Sequence, residues 1–527
     1  MNAQRSVKTE YKPNKWAVAI SVMIGAFMGV MDVSVVNVAL PHMMGSFGQN
    51  LSAITWVATS YSIAAVIMLT MSGWWATLMG RKNFYLLSFV IFTVGSILAG
   101  MSHTFPEMII CRVLQGMGGG SLVPLAQAIL RETFPKNEQG MAMAMFSMGV
   151  VVAPAIGPVL GGWLTDQYGW EWIFFINIPV SVVGMFMVSI FVQDPPYLRR
   201  GIKSIDVGGI ILLTLGLTGL QVVLERGQEE NWFQSPWIVW MAVLTAAALL
   251  ALVLWELFEP EPVVNFKIFK NPQFRMGALV ILLFGVALYG TTFILPQFTQ
   301  QLLNYPAYQA GLVLMPRAIA LMCVLPIVGR LYNLIDPRAL IIYGIIVVNI
   351  SYFQLAHLAT TAAQGTIVPI LLLMGSGLPF VFVTLSTVAL SSVEKENMTS
   401  ASGLFNLFQQ VGGNIGYAVM ATLVERNSQI HHAYLAEHIS RFDFNFVQFY
   451  HQTAAFMHQQ GMAVNQAHQA AMALVNSLVT RQAQMMAYND ISLFLMLMFL
   501  ICVPFVLMIP VGKGHFETAS MGESMAS

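Results

Sequence analysis

The sequence predicts an all-α polytopic membrane protein, two six-helix bundles with two further helices inserted between them. Three observations carry this. The 527 residues are 57% hydrophobic and 9% charged, where soluble domains average about 25% charged. The apolar residues gather into fourteen runs, each long enough at about 1.5 Å per residue to cross a ~30 Å hydrocarbon core. Landmarks in the first six runs return in the last six at nearly constant spacing.

In chain order the runs lie at about 16–41, 52–75, 83–101, 106–130, 140–164, 172–193, 206–225, 237–258, 274–298, 309–332, 338–357, 366–390, 398–424 and 489–511. Arg5, Lys8, Lys12 and Lys15 precede a first run too long for a cleaved signal core, so that run is expected to be retained. An even count puts both termini on one side. Eighteen of the 24 basic residues then fall on that side and four (Arg226, Arg426, Arg441, Arg481) on the other, with Arg112 and Arg317 inside runs. That bias makes the terminal side cytoplasmic.

Gly116 and Gly118 stand 41 and 39 residues before Gly157, and Gly375 and Gly377 stand at the same distances before Gly416, a shift of 259. Leu40-Pro41 returns as Leu295-Pro296, a shift of 255. Parallel six-span repeats are the plan of transporters that rock two halves about a midplane site. The expected division is 1–15 a cytoplasmic N-terminus, 16–193 an N-terminal bundle, 194–273 a linker with two inserted helices, 274–511 a C-terminal bundle and 512–527 a cytoplasmic tail. Within the second bundle, 425–488 is read as one long outer loop. There Ala467, Ala470, Ala471, Leu474, Val475, Leu478 and Val479 keep helical spacing behind an Asn465 cap, so an amphipathic helical cap or hairpin suited to a partner contact is expected.

The functional candidates are the polar residues inside runs. Asp32 lies roughly 14 Å short of the far end of the first run, beyond easy reach of water, and is read as a proton carrier. A structural carboxylate paired with a cation is the alternative. Arg112 lies at comparable depth in the fourth run, so the two can pair and lower each other's desolvation cost. The repeat places Ala287 and Leu371 at their counterparts, so the buried charges belong to the first half alone. Gly149, Pro154, Gly157, Pro158, Gly161 and Gly162 mark a fifth helix suited to close approach and bending, or to static packing. Asn37, Gln115, Tyr289, Arg317, Asn406, Gln409 and Gln410 are candidates for a substrate cavity; each is equally suited to an interhelical bond. The 35 Met and 34 Phe suit an adaptable apolar wall.

Balanced charge, 24 basic against 24 acidic, leaves no excess for nucleic acid. Cys111, Cys323 and Cys502 sit in apolar runs without the spacing of a disulfide framework or metal site. No G-x-x-x-x-G-K-[ST] loop points to ATP, which leaves an ion gradient or no energy source at all, and no cofactor is expected. His42, His103 and His357 are isolated, so no catalytic constellation supports a lipid-modifying enzyme. A six-helix duplication also sits poorly with a passive channel.

Three stretches resemble the major facilitator superfamily, in its fourteen-helix drug:proton antiporter branch of EmrB/QacA type. They are M-D-V-S-V-V-N-V-A-L-P (31–41), C-R-V-L-Q-G-M-G-G-G (111–120) and G-V-V-V-A-P-A-I-G-P-V-L-G-G (149–162); W-E-W-I-F-F-I-N-I-P (170–179) adds to them. G-W-W-A-T-L-M-G-R-K (73–82) keeps the Gly73, Gly80, Arg81 and Lys82 of the loop between the second and third helices. It has Thr77 where the superfamily has an acid, so the usual charge latch is not expected and Arg81 and Lys82 are left to grip the other half. The resemblance implies the major facilitator fold and proton-coupled export of hydrophobic or amphiphilic toxic compounds. It further implies a bacterial inner membrane location, an EmrA-like periplasmic membrane-fusion protein and an outer-membrane TolC-like channel. Export of an endogenous metabolite, such as a siderophore, fatty acid or signalling molecule, is the alternative within the class.

Overall fold

The structure, a computed structural model, describes residues 14–194, 201, 205–439 and 442–510. Arg5, Lys8, Lys12, Arg199, Arg200, Lys203, Arg441 and Lys513, which entered the charge count, lie outside the described residues, as does most of both expected terminal segments.

The first bundle comprises α1 (Lys15–Phe47), the short α2 (Leu51–Ile54), α3 (Trp56–Met79), α4 (Arg81–Gly100), α5 (Phe105–Thr133), α6 (Gln139–Tyr168), and a sixth span broken into α7 (Trp172–Phe175) and α8 (Asn177–Phe191). α9 (Val207–Arg226) and α10 (Pro236–Phe258) form the inserted pair. The second bundle follows as α11 (Pro272–Gln297), α12 (Ala307–Leu331), α13 (Pro337–Leu355), α14 (Gln364–Ser391), α15 (Met398–Glu437), α16 (Phe444–Gln459) and α17 (Val464–Leu507). Local chemistry sets the ends. Thr104 and Glu107 form a capping box at α5, and Asp206, Asn271 and Asp336 cap α9, α11 and α13. Gly80, at φ +87°, supplies the conformation that separates α3 from α4.

Among the described residues thirteen helical stretches are long and apolar enough to cross a membrane. The fourteenth crossing is α15, whose Asn406, Gln409, Gln410 and Asn414 lower its hydropathy. The expected runs therefore match fourteen helices to within a few residues, with one correction. Residues 425–488 hold the expected helical hairpin, but it is continuous with the spans and not a separate loop between them. α15 continues to Glu437 and α17 starts at Val464, because neither 425–437 nor 464–488 contains a glycine or proline to stop a helix. α16 packs against α17, closing a helical hairpin. Ala467, Ala471 and Val475 form its buried stripe, while Leu474 and Leu478 are exposed. Asn465 does not cap: the helix begins after Ala463, following a turn at Gly461 with φ +97°.

The internal repeat is physical as well as textual. A Cβ on Gly116 would come within 2.4 Å of the Tyr61 carbonyl on α3, and one on Gly375 within 2.1 Å of the Arg317 carbonyl on α12. Gly118 likewise meets Ser88 and Phe92 on α4, and Gly377 meets Val347 and Val348 on α13. These partners stand 256 to 259 residues apart, so equivalent glycines make equivalent helix contacts.

The direct hydrogen bonds between bundles cluster at the end carrying Arg81. There Arg81 donates to the Lys395 carbonyl at 2.9 Å, Asn333 to the Asn137 carbonyl at 2.6 Å, and Asn406 to Gln127 at 2.7 Å. Backbones meet too: a Cβ on Gly73 would strike Ser400, and one on Gly140 the Gly329 carbonyl. The bundles are clamped together at this end.

Candidate functional site

Asp32, Arg112, Gln115, Asn177 and Ser96 meet inside the first bundle. Asp32 is 2% exposed and Arg112 fully buried. Arg112 Nη1 donates to Asp32 Oδ2 at 2.6 Å, and Gln115 Nε2 and Asn177 Nδ2 donate to Oδ1 at 2.7 and 3.1 Å. The second amide protons of Gln115 and Asn177 go to Ser96 Oγ at 3.2 and 3.0 Å, and Ser96 donates to the Phe174 carbonyl. Three donors on one carboxylate is the pattern of an ionised acid. Arg112 also donates from Nε to the Val57 carbonyl at 2.9 Å and from Nη1 to Gln115 Oε1 at 2.6 Å. Its guanidinium lies 4.3 Å from the Tyr61 ring centroid and 5.6 Å from that of Phe174. A buried ion pair survives only when its remaining donors and acceptors are met. Here α1, α3, α4, α5, α7 and α8 together meet most of them, and Arg112 Nη2 and Asn177 Oδ1 are left buried without a hydrogen-bond partner among the described residues.

The same stretch of α1 touches α6 one turn further on. Pro158 has no N–H, so the carbonyl of Pro154 loses its helical donor. Ser34 Oγ donates to that carbonyl at 3.1 Å. A Cβ on Gly157 would lie 2.6 Å from Ser34, and one on Gly161 would press Val35 at 3.0 Å. Gly149 faces the tip of Met23 and Gly162 only grazes Val38. The fifth-helix glycines and prolines thus divide. Pro154, Gly157, Pro158 and Gly161 fit α6 around the Asp32 segment, and Gly149 and Gly162 are looser.

The cavity candidates do not stay together. Gln115 belongs to the carboxylate cluster and is fully buried, so it lines no cavity: its side chain points along the α5 face shared with Arg112, three residues away. Asn406 is spent on the bond to Gln127 and on the Ser402 carbonyl, at the clamped end. Gln409 is buried, while Gln410 donates to Asn414 Oδ1 at 3.4 Å. Tyr289 is half-buried, its ring 5.9 Å from that of Tyr417. Asn37 is exposed and Arg317 half-buried.

At the clamp, Arg81 pairs with Glu132 of its own bundle and reaches across to Lys395. Lys82 stays at home: its backbone N–H and ammonium go to Asp194 and the Ser189 carbonyl. Thr77 turns its hydroxyl back to the Gly73 carbonyl at 3.0 Å. Of the two cations expected to grip the other half, only Arg81 does.

Asn177, Ser96, Tyr61, Ser34 and Gln127 escaped the reading of the sequence. Asn177 and Ser34 carried a signal, inside W-E-W-I-F-F-I-N-I-P and M-D-V-S-V-V-N-V-A-L-P, without a role attached.

A duplicated bundle with a buried acid–guanidinium pair in one copy matches a known family, the Major Facilitator Superfamily, over residues 22–417. The chain belongs to this superfamily. It is 34% identical over 475 residues to the multidrug export protein EmrB of Haemophilus influenzae, spanning 90% of this chain and 91% of that one. It is 30% identical over 501 residues to the fatty acid resistance protein FarB of Neisseria gonorrhoeae, covering 94% and 97%. Its fold is similar to the human organic anion transporter MFSD10, with TM-score 0.61, 13% identity, and coverage of 92% and 100%. As a major facilitator, this multi-pass membrane protein is a secondary transporter and not an enzyme.

Proposed function

We propose that the chain is a proton-coupled antiporter that exports hydrophobic and amphiphilic toxic compounds as the inner-membrane component of a tripartite pump. The observation that carries this is the Asp32 cluster, a buried carboxylate held by Arg112, Gln115 and Asn177. A proton on Asp32 would cancel the charge that Arg112 faces and leave a fully buried guanidinium seeking acceptors, a costly state. The bundle then gains by repacking α5 against α1. Because Ser34 ties that segment of α1 to the bend of α6, the repacking reaches the helix that faces α12 of the other bundle. Protonation at one carboxylate is thereby converted into a bias between two arrangements of the bundles.

In this reading the clamped Arg81 end faces the cytoplasm and the α16 hairpin faces the periplasm, docking an EmrA-like fusion protein beneath a TolC-like channel. The likeness to EmrB supports multidrug export, and the likeness to FarB supports a second reading in which the passenger is a fatty acid. In proteoliposomes, substrate-driven proton release should be abolished in Asp32→Asn while the protein elutes as a folded species. Unchanged exchange in that variant removes the proton-carrier role. Toxic cations and long-chain fatty acids offered in parallel separate the two passengers.

A further inference from the structure

The inserted pair α9–α10 is held together by glycines. A Cβ on Gly216 would lie 2.6 Å from Leu249 and one on Gly219 would strike Thr245 Oγ1, so α10 moves with α9. The opposite edge of α9 is polar, and each of its side chains is spent on a bundle helix. Towards the first bundle, Thr59 Oγ1 of α3 donates to the Glu225 carboxylate. Arg226 donates to Thr55 at 3.2 Å and lies 5.2 Å from the Trp56 ring centroid. Towards the second, Asn414 Nδ2 of α15 donates to Gln221 Oε1, and Thr422 donates to Gln228 at 2.7 Å. Gln221 Nε2 closes the chain by donating to Glu225. Thr59, Glu225, Gln221 and Asn414 therefore form one hydrogen-bonded ladder from bundle to bundle, through two side chains one turn apart on α9.

The position of the ladder gives it meaning. α3 and α15 touch directly where Gly73 meets Ser400. Thr59 stands 14 residues from Gly73, and Asn414 stands 14 residues from Ser400, about 21 Å along each helix. At one end of the seam the helices are in contact. About 21 Å away two side chains of a third helix stand between them. Opening the clamped end by a rocking motion requires the far ends to converge, and the ladder occupies the space they would close.

We propose that α9 is a strap across this seam and that Glu225 is a positioning residue setting the spacing of the far ends of α3 and α15. The proposal rests on the transporter reading only in requiring two arrangements of the bundles. Breaking the ladder relieves the obstacle and raises the population in which the far ends stand close.

The test places nitroxide pairs at His103 and Gln364, exposed far-end positions on the two bundles. Cys111, Cys323 and Cys502 are replaced by alanine, and the pair distance is read in lipid nanodiscs without gradient or substrate. Glu225→Leu should raise the short-distance population about threefold over the parent. Asn414→Leu, which breaks the ladder from the other bundle, should do the same. The double variant should add little, since both remove one linkage. Glu225→Gln keeps both links, its amide oxygen accepting from Gln221 and its amide nitrogen donating to Thr59 Oγ1 while that hydroxyl donates to the Thr55 carbonyl, and should stay near the parent. Parent-like distributions in both leucine variants overturn the strap, as does a glutamine variant that shifts as far as leucine. Parent-like distances alongside lost proton exchange in Asp32→Asn would sink the strap alone, and the reverse pattern would sink the pump alone.

Discussion

The two bundles share a skeleton and differ in what they put on it. Gly116 and Gly375, and Gly118 and Gly377, bring equivalent helices to the same closeness. Where the first bundle buries Asp32 and Arg112, the second buries Ala287 and Leu371, 1% and 0% exposed. Where the first joins α1 to α6 by Ser34 on the freed carbonyl of Pro154, the second lays the Tyr289 ring on Gly413, with Tyr417 in the place of Pro158. One copy carries charge and a proline-freed acceptor; its counterpart carries aromatic packing. The difference teaches that the duplication preserved the way the helices touch and left the buried charge pair to one half.

The largest test of that contrast is Arg112→Leu. It leaves Asp32 buried without its cation and should cost about 3–5 kcal/mol, read as a lower unfolding midpoint in detergent. Leu371→Met at the equivalent place should cost less than about 1.5 kcal/mol. Similar losses at the two sites would mean that the buried pair is no more than packing. Next come Gly116→Ala and Gly375→Ala, each of which drives a Cβ into a backbone carbonyl and should cost about 1–3 kcal/mol. The two losses should agree closely, and a wide gap between them would break the claim of a common skeleton. The smallest effect is Ser34→Ala, which orphans the Pro154 carbonyl at a cost of about 1 kcal/mol. Tyr289→Phe keeps its ring on Gly413 and should stay within about 0.5 kcal/mol of the parent; matched losses would erase the distinction between the two junctions.

Much of this architecture was legible in the residues. Apolar runs are the strongest signal a chain can carry, and the glycine spacing announced the duplication before any contact was visible. Depth put Asp32 and Arg112 within reach of each other. What depth cannot give is azimuth, and azimuth decided the rest. Gln115 turned inward to the carboxylate, and Asn406 turned to Gln127 at the clamp. Asn177 became a ligand of Asp32 only because the break between α7 and α8 aims it there. The hairpin itself was expected, and its continuity with the spans was missed for another reason. A polar helix standing beyond the bilayer has the composition of a loop, so the ends of the apolar runs hide that the spans run on, and the lack of glycine and proline in 425–437 and 464–488 was the signal for it. Thr77 shows the value of a departure: without an acid there, the grip across the bundles falls to Arg81.

α15 runs 40 residues without a break, from the contact of Ser400 with Gly73 to the base of the α16 hairpin. At about 1.5 Å per residue that is a shaft of roughly 60 Å. In the proposed antiporter a shaft of that length would act as a lever pivoted within the bilayer, so a small tilt at the clamp would become a much wider sweep at the hairpin. Whatever the hairpin holds would then be geared to the stroke of the carrier and feel each cycle as displacement.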